Sequence, residues 1–347
     1  MVCRIRVCGK GMVINVKTDK SDILTLLRNS RDYVSGQQLC DQFGVSRTAV
    51  WKAINQLKEE GYRIEAVSHK GYRLLESPDV LSRSEVLSRL KTKWAGQQLF
   101  YLEETGSTNI DAKRYAEEGE PHGMTVIAEK QNAGRGRRGK YWESPPGSAI
   151  YMTIMLKPDF APDKASMLTL VMALSVAEAI TEATGLQAGI KWPNDVVVNK
   201  KKVCGILTEL NVETDYIRHV VIGVGINVNN GAPEEFPEEI RETATSLRIE
   251  AGTPFSRAEL LERVLERFEK NYDTFVTTLD LRLLIEAYGR YLLNLNMEVN
   301  VLDPKGSYTG VARGISTTGE LLVEKEDGEM KTVYAGEVSV RGLYGYI

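Results

Sequence analysis

The stretch Gly134-Arg-Gly-Arg-Arg-Gly139 alternates glycine with arginine, and it limits the folds that the chain can adopt. Its glycines match the G-x-G-x-x-G dinucleotide pattern, and residues 134–140 match a P-loop up to the last position, where Tyr141 replaces Ser or Thr. Both motifs need a helix directly after the loop, but residues 140–147 include two prolines and a glycine, which cannot open a helix. The sequence therefore argues against both folds and favours a mobile cationic loop that orders around an anion, with a merely solvated basic loop as the alternative.

Further candidate residues flank this loop in the central part of the chain. Lys191-Trp-Pro-Asn-Asp195 has the composition of a sharp turn between two apolar strands, and its Lys and Asp form either a salt bridge or a functional pair. Gly106-Ser-Thr-Asn109 lies at a strand-to-helix junction, where its side chains can cap the helix or bind a polar ligand. Lys202 begins a strand and can point inward toward an anion. Glycines inside the strand 220–228 predict a close approach of a ligand or another backbone.

Composition limits the class of protein. The 347 residues suggest two or three domains, and the net charge of −3 restricts any nucleic-acid contact to a local basic surface. Four cysteines without a C-x-x-C pair and three histidines make a metal site held by the protein unexpected, and reduced thiols predict a cytoplasmic location. We expect no apolar run of membrane-spanning length, and no Ser-His-Asp or Cys-His constellation is visible. The expected site is therefore one that positions anions and lets substrates react with each other.

Residues 21–76 predict a winged helix-turn-helix. Three short helices over 21–29, 35–43 and 46–58 are followed by two strands that would form the wing. Residues 21–75 contain eight Lys and Arg and six Asp and Glu, so their small positive net charge is only a weak argument that this domain binds DNA. The alternative is a docking domain that never touches DNA. The candidate DNA contacts are Ser35, Gln37, Ser46, Arg47, Thr48, Trp51, Lys52, Asn55, His69 and Lys70.

The rest of the chain predicts a mixed α/β domain followed by a small β domain. Residues 148–156 are expected to form a strand of alternating character, and residues 165–184 a long apolar core helix. After Asn296 the pattern changes to short strands separated by glycine turns, which predicts a small SH3-like barrel over 296–347. The fold class is therefore α/β (α+β) and multidomain, with boundaries at 21–76, 80–295 and 296–347 after an N-terminal extension of residues 1–20.

The arginine loop, the Lys-Trp-Pro-Asn-Asp turn, Ser107-Thr-Asn109 and Gly223-x-Gly-Ile-Asn227 occur in the order seen in biotin protein ligases. With the N-terminal winged helix, the chain resembles the members of that family that are also biotin operon repressors. The resemblance covers residues 21–341 and implies a central domain of class II synthetase type. One departure is that residues 229–241 contain Phe236 but no tryptophan, which some members use to cover adenine.

The resemblance also implies a reaction. Biotin and Mg²⁺-bound ATP would form biotinyl-5′-adenylate, and a lysine of the biotin carboxyl carrier protein of acetyl-CoA carboxylase would then attack it. Arg135, Arg137 and Lys202 would offset the repulsion between the two anions, Lys191 would contact phosphate, and Asp195 would orient or deprotonate the incoming lysine. The implied ligand contacts are Ser107, Thr108, Asn109, Gln131, Arg135, Gly136, Arg137, Lys202, Gly205, Gly223, Gly225 and Asn227.

The same resemblance implies partners and leaves alternatives open. The adenylate would promote a homodimer that places two winged helices on operator DNA, and no membrane partner is expected. A ligase that does not bind DNA, a biotin-sensing repressor without catalysis and a lipoate ligase are the alternatives. The presence of Arg135, Arg137 and Lys202 argues against the second, and the arginine loop argues against the third.

Overall fold

The structure is a computed structural model that describes residues 20–139, 141–213, 215–302, 306–335 and 339–342. The chain divides into two compact units between Pro78 and Asp79. Lys20 belongs to the first helix, and residues 1–19 of the predicted N-terminal extension lie outside the described residues, so that boundary stays a prediction.

The first unit has the predicted helices, turn and hairpin. A left-handed Gly44 (φ 65°) ends the second helix, and the Ser46 hydroxyl accepts from the Ala49 N–H at 3.2 Å to start the third. The two strands pair antiparallel around a turn that contains His69 (φ 63°). The elements are α1 (Lys20–Asn29), α2 (Gly36–Phe43), α3 (Arg47–Glu59), β1 (Arg63–Val67) and β2 (Gly71–Glu76). The small core comprises Ile23, Leu24, Leu27, Val34, Leu39, Val50, Ile54, Leu57, Tyr62 and Ile64.

A seven-stranded sheet forms the centre of the second unit, in the order β3-β4-β5-β9-β8-β7-β6. Its strands are β3 (Leu99–Thr105), β4 (Thr125–Gln131), β5 (Ala149–Leu156), β6 (Ala188–Lys191), β7 (Asp195–Val198), β8 (Lys201–Glu213) and β9 (Tyr216–Asn227). Its helices are α4 (Arg83–Leu87), α5 (Thr108–Glu117), α6 (Leu168–Thr184), α7 (Leu247–Ala251), α8 (Arg257–Thr278) and α9 (Ile285–Tyr291). Only β3 and β4 pair in parallel among these neighbours, so the sheet is mostly antiparallel.

Two expectations about the second unit are corrected. Strand β5 does not have the predicted alternating character, because every residue from Ala149 to Leu156 is buried between α5 on one face and the main core on the other. The segment Pro162–Thr184 is long and apolar enough to cross a membrane by length and composition, contrary to the expectation of no such run. Its opening 3₁₀ turn, Pro162–Met167, contains Asp163 and Lys164, so the uncharged part of the segment is shorter than the whole segment. Most of this segment is buried inside the fold.

The C-terminal strands form a five-stranded antiparallel sheet in the order β13-β12-β11-β10-β14. They are β10 (Glu298–Leu302), β11 (Tyr308–Ile315), β12 (Leu321–Glu324), β13 (Met330–Val333) and β14 (Ser339–Gly342). This sheet shares one continuous hydrophobic core with the seven-stranded sheet, and Trp192 Nε1 donates to the Gly319 carbonyl at 3.0 Å. The strands are therefore as predicted, while closure into an SH3-like barrel and the boundary at residue 296 stay predictions.

Arg257 at the start of α8 joins three separate segments of the second unit. Its side chain is 3% exposed and lies 3.1 Å from the Asp79 carboxylate and 2.8 Å from that of Glu129. It also donates to the carbonyls of Asp79 and Ala149. Asn229 donates to the same Asp79 carboxylate at 2.9 Å, so the loop after β9 is tied to this cluster.

We expect Arg257→Met to lower the free energy of unfolding by about 3 kcal/mol, because two partly buried carboxylates would lose their counter-charge. Urea unfolding of the full chain, followed by tryptophan fluorescence, measures the change. Arg290→Met is the matched control, since its ion pair with Glu286 is exposed and such pairs contribute about 0–1 kcal/mol. Equal midpoints for the two variants would contradict a structural role for the Arg257 cluster.

Candidate functional site

A pocket lies over the seven-stranded sheet where β8 and β9 present glycine instead of side chains. Gly205, Gly223 and Gly225 all line it. A Cβ at Gly223 would lie 2.2 Å from Asn109 Oδ1, and one at Gly225 or Gly205 would lie 2.8 Å from the Trp142 ring. A close approach to these strands is present, but the groups that approach are two side chains, an amide and an indole, and not the predicted ligand or backbone.

The start of α5 forms a polar wall of this pocket. Ser107 is the N-cap residue, but its side chain makes no capping hydrogen bond, and the residue lines the pocket. The Thr108 N–H donates to Gln131 Oε1 at 3.0 Å, and Gln131 Nε2 donates to the Ser144 hydroxyl at 3.0 Å. Of the two roles open for this junction, the ligand-binding role is the one that the Ser107 geometry favours.

Behind this wall lies a chain of buried polar contacts. Thr153 Oγ1 lies 2.8 Å from Thr108 Oγ1 and 2.6 Å from Asn109 Oδ1. Asn109 Nδ2 donates to Glu209 Oε2 at 2.7 Å, and Lys113 Nζ donates to Glu209 Oε1 at 2.7 Å. Burial raises the pKa of Glu209, but the hydrogen bonds from Lys113 and Asn109 and the charges of Lys113 and Arg135 outweigh it, so the pKa is lowered.

The arginine loop contributes to the pocket, which Arg135, Gly136 and Arg137 line. The loop is closed by the Trp142 N–H, which donates to the Gly134 carbonyl at 2.9 Å. Arg137 donates to Asn194 Oδ1 at 2.7 Å and also to the carbonyl of Ala335, which lies two residues after the end of β13. The loop therefore contacts both the turn at 191–195 and the segment that follows β13.

Lys202 brings a further cationic group to the pocket. Its Nζ lies 2.7 Å from Asp195 Oδ1 and 5.3 Å from the centroid of the Trp142 ring. Asn194 Nδ2 donates to the same Asp195 oxygen at 3.0 Å, so one carboxylate holds Lys202 and Asn194 together. The indole N–H of Trp142 is buried and has no hydrogen-bond partner among the described residues, so it can donate to a ligand group.

Three predicted site residues do not line the pocket. Asn227 turns away from it and donates to the Thr245 carbonyl at 3.1 Å, which holds the loop after β9. Lys191 lies opposite Asp195 in the β6–β7 pair, and Asp195 lies behind Lys202. Eleven of the predicted site residues do line it: Ser107, Thr108, Asn109, Gln131, Arg135, Gly136, Arg137, Lys202, Gly205, Gly223 and Gly225.

Several residues of the site were not predicted from the sequence. Trp142, Met152, Asn194, Ile206, Leu207 and Val224 line the pocket, and Thr153 and Glu209 support it. Thr153 could have been found from the sequence, because the strand Ala149–Leu156 is otherwise apolar except for the hydroxyl of Tyr151. Asn194 belongs to the turn 191–195 that the sequence already marks, although its own role was not predicted. The other residues carry no signal, since their roles depend on contacts between distant segments.

The first unit presents most of its candidate DNA contacts to solvent. Gln37, Arg47, Thr48, Trp51 and Lys52 are exposed, as are His69 and Lys70, and Asn55 is half-buried. Arg47 donates to Gln37 Oε1 at 2.9 Å, which links α2 to the start of α3. The hydroxyls of Ser35 and Ser46 cap helices, so the fold already uses these two side chains.

The wing is fixed by a contact that the sequence did not indicate. The Tyr33 hydroxyl donates to Glu65 Oε2 at 2.6 Å, and the Tyr33 ring lies 5.6 Å from Lys70 Nζ and 5.0 Å from the guanidinium of Arg73. Two cationic side chains therefore lie against one ring near the turn of the hairpin.

Comparison with known proteins adds the family. Residues 101–227 match the Biotin/lipoate A/B protein ligase family, residues 20–73 match an HTH domain, and residues 295–341 match the Biotin protein ligase C terminal domain. A Bifunctional ligase/repressor BirA from Bacillus subtilis is 41% identical over 326 residues, which cover 93% of this chain and 99% of the relative. The Escherichia coli protein of the same name is 30% identical, covering 92% and 96%.

A solved structure agrees with these matches. The biotin protein ligase of Aquifex aeolicus, in complex with biotin and ATP, superposes with a TM-score of 0.62 at 34% identity and covers 71% of this chain and 99% of its own. The pocket residues, the helix-turn-helix unit and these relatives agree, and the chain belongs to the family of biotin protein ligases, in the group of bifunctional ligase/repressors.

Proposed function

We propose that this protein is an ATP-dependent biotin–[biotin carboxyl carrier protein] ligase that also acts as a biotin-responsive repressor. The observation that carries the proposal is the convergence of Arg135, Arg137 and Lys202 on a pocket whose other wall is neutral and rich in hydrogen-bonding groups. Such a pocket suits a ligand with a polar, uncharged ring at one end and an anionic group at the other.

In the first half-reaction, a carboxylate oxygen of biotin attacks the α-phosphorus of ATP. The bond from the α-phosphorus to the bridging oxygen of pyrophosphate breaks, and pyrophosphate leaves with that electron pair. Two anions must meet in this step, and Arg135, Arg137 and Lys202 would lower its barrier by stabilising the negative charge of the transition state. We propose that Mg²⁺ arrives as part of MgATP, a substrate. Among the described residues there is no group of three or more His, Cys, Asp or Glu that could hold a metal.

In the second half-reaction, the neutral ε-amine of a carrier lysine attacks the carbonyl carbon of biotinyl-5′-adenylate and forms the new C–N bond. The bond from that carbon to the phosphate oxygen breaks, AMP leaves with its electron pair, and the proton lost by the nitrogen passes to solvent. The arginine loop, by closing over the bound adenylate, would keep water from attacking it first. Because Asp195 already accepts from Lys202 and Asn194, we propose that it orients Lys202 in place of deprotonating the incoming lysine. The carrier proposed is the biotin carboxyl carrier protein of acetyl-CoA carboxylase. A Mycobacterium tuberculosis relative that is 31% identical over 248 residues is named a Biotin--[acetyl-CoA-carboxylase] ligase.

As a repressor, the protein would place α3 of the first unit in the major groove of operator DNA, with the wing beside the backbone. A homodimer formed on the adenylate would present two such helices to a palindromic operator. We also propose a cytoplasmic location, which the carrier protein and the DNA would both require.

We expect Lys202→Met and Arg137→Ala to slow carrier biotinylation by about 100-fold or more, because each removes a cation that acts on developing charge. The measurement is the initial rate at which a biotin carboxyl carrier domain gains one biotinyl mass in the presence of biotin and MgATP. Lys200→Asn is the matched control: it removes a lysine from the adjacent exposed turn and tolerates the left-handed backbone there (φ 68°). A wild-type protein that transfers no biotin would contradict the ligase.

We expect Arg47→Ala and Lys52→Ala to weaken operator binding by about tenfold each while carrier biotinylation stays unchanged, since each removes one contact of the recognition helix. The DNA would first be selected from random duplexes with the full chain, biotin and MgATP, and then used in titrations at fixed salt. Lys58→Ala, at the far end of the same helix, is the control. If selection enriches no inverted repeat, the protein is a ligase without operator binding.

A further inference from the structure

Glu209 does not line the pocket, but it contacts Asn109, which does. This contact sets the direction of the hydrogen bonds that run from Asn109 through Thr153 to Thr108. Asn109 Nδ2 lies 2.7 Å from the Glu209 carboxylate and 3.3 Å from the Leu207 carbonyl, and both partners can only accept. The amide of Asn109 is therefore held in one orientation, with Oδ1 turned toward Thr153.

That orientation fixes the hydrogen of Thr153. Asn109 Oδ1 is an acceptor, and Thr153 Oγ1 is 2.6 Å from it, so Thr153 must donate its single hydrogen there. Thr153 Oγ1 is also 2.8 Å from Thr108 Oγ1, and with its own hydrogen used it can only accept in that contact. Thr108 therefore donates its hydroxyl hydrogen to Thr153.

The consequence appears at the pocket wall. Gln131 Oε1 accepts from the Thr108 N–H, and the longer 3.2 Å contact between Gln131 Oε1 and Thr108 Oγ1 receives no hydrogen. Thr108 thus presents a lone pair to a ligand and no hydrogen. We infer that Glu209 is a positioning residue that makes Thr108 a hydrogen-bond acceptor, so that the site selects a ligand ring carrying an N–H. This inference rests on the proposed function, in which that ring is the cyclic urea of biotin.

Lys113 explains why a carboxylate is needed at position 209. Glu209 accepts from Lys113 with one oxygen and from Asn109 with the other. In Glu209→Gln, the ammonium of Lys113 would take the single oxygen and the new amide NH₂ would face Asn109 Nδ2, so two donors would meet. Asn109 would then rotate or lose the contact, and the direction imposed on Thr153 and Thr108 would be lost.

The test compares biotin with its two cyclic carbamate analogues, in each of which one ring N–H is replaced by an oxygen. Wild-type protein should bind biotin about 10- to 100-fold more tightly than at least one analogue, because the analogue's oxygen faces the Thr108 lone pair. In Glu209→Gln and in Thr153→Val, this ratio of Kd values should fall by about tenfold. The Kd values for biotin and for each analogue are measured by calorimetry on the full-length protein. Circular dichroism verifies that each variant is folded.

Two further variants separate this role from a structural one. Glu209→Gln combined with Lys113→Met should restore the ratio, because the introduced amide can then turn its oxygen to Asn109; general damage to the site would not be repaired by a second change. Glu213→Gln, on the same strand and exposed, should leave the ratio unchanged. If wild-type protein binds no biotin, the proposed function fails. If it binds biotin and Glu209→Gln keeps the wild-type ratio, or the double variant does not restore it, the inference about Glu209 is wrong.

Discussion

The absence of side chains at Gly205, Gly223 and Gly225 is the constraint on which the rest of the site depends. Strands β8 and β9 are neighbours in the sheet, and any Cβ at these positions would displace Asn109 or Trp142. The bare backbone lets α5 and the arginine loop approach the sheet from the same face. A pocket on a rigid sheet is thereby made without a gap in the apolar core, which includes the alternate residues Ile206, Val224 and Ile226 of the same strands.

The two walls of the pocket differ because the segments that build them differ in charge. The α5 wall uses an N-terminal helix turn, whose N–H groups and small hydroxyls recognise neutral polar groups. The opposite wall collects cations from the loop at 134–139 and from the start of β8, where Asp195 offsets Lys202. Arg137 is positioned by two neutral acceptors, the Asn194 side chain and the Ala335 carbonyl. This arrangement suits an elongated ligand that is bound by shape and hydrogen bonding at one end and by charge at the other.

Motifs read from the sequence identify the walls of the pocket but not the contacts that organise it. The arginine loop, Ser107–Asn109 and the strand glycines have unusual composition. Each can therefore be recognised in the sequence without knowing which residues lie beside it in the fold. Trp142 and Glu209 have ordinary composition, and their roles arise because β8 pairs with β9 beneath α5. Asn227 shows the opposite error: it belongs to a recognisable motif, yet its side chain turns toward Thr245 and away from the pocket. The apolar helix within Pro162–Thr184 was predicted as a core helix, but not that the whole segment reaches membrane-spanning length, because its first turn is charged.

The Arg257 cluster links the segment after Ser144 to the loop that follows β9. Glu129, which accepts from Arg257, also accepts from the Gly147 N–H, just beyond the segment that carries Trp142 and Ser144. Asp79, its other partner, accepts from Asn229 on the loop that follows β9, and it is the residue at which the second unit begins. Any movement of the segment after Ser144 or of the loop after β9 must therefore disturb the carboxylates of Glu129 or Asp79, which share the one buried guanidinium of Arg257. Such a shared, partly buried charge resists rearrangement, because neither carboxylate can leave it without losing its counter-ion.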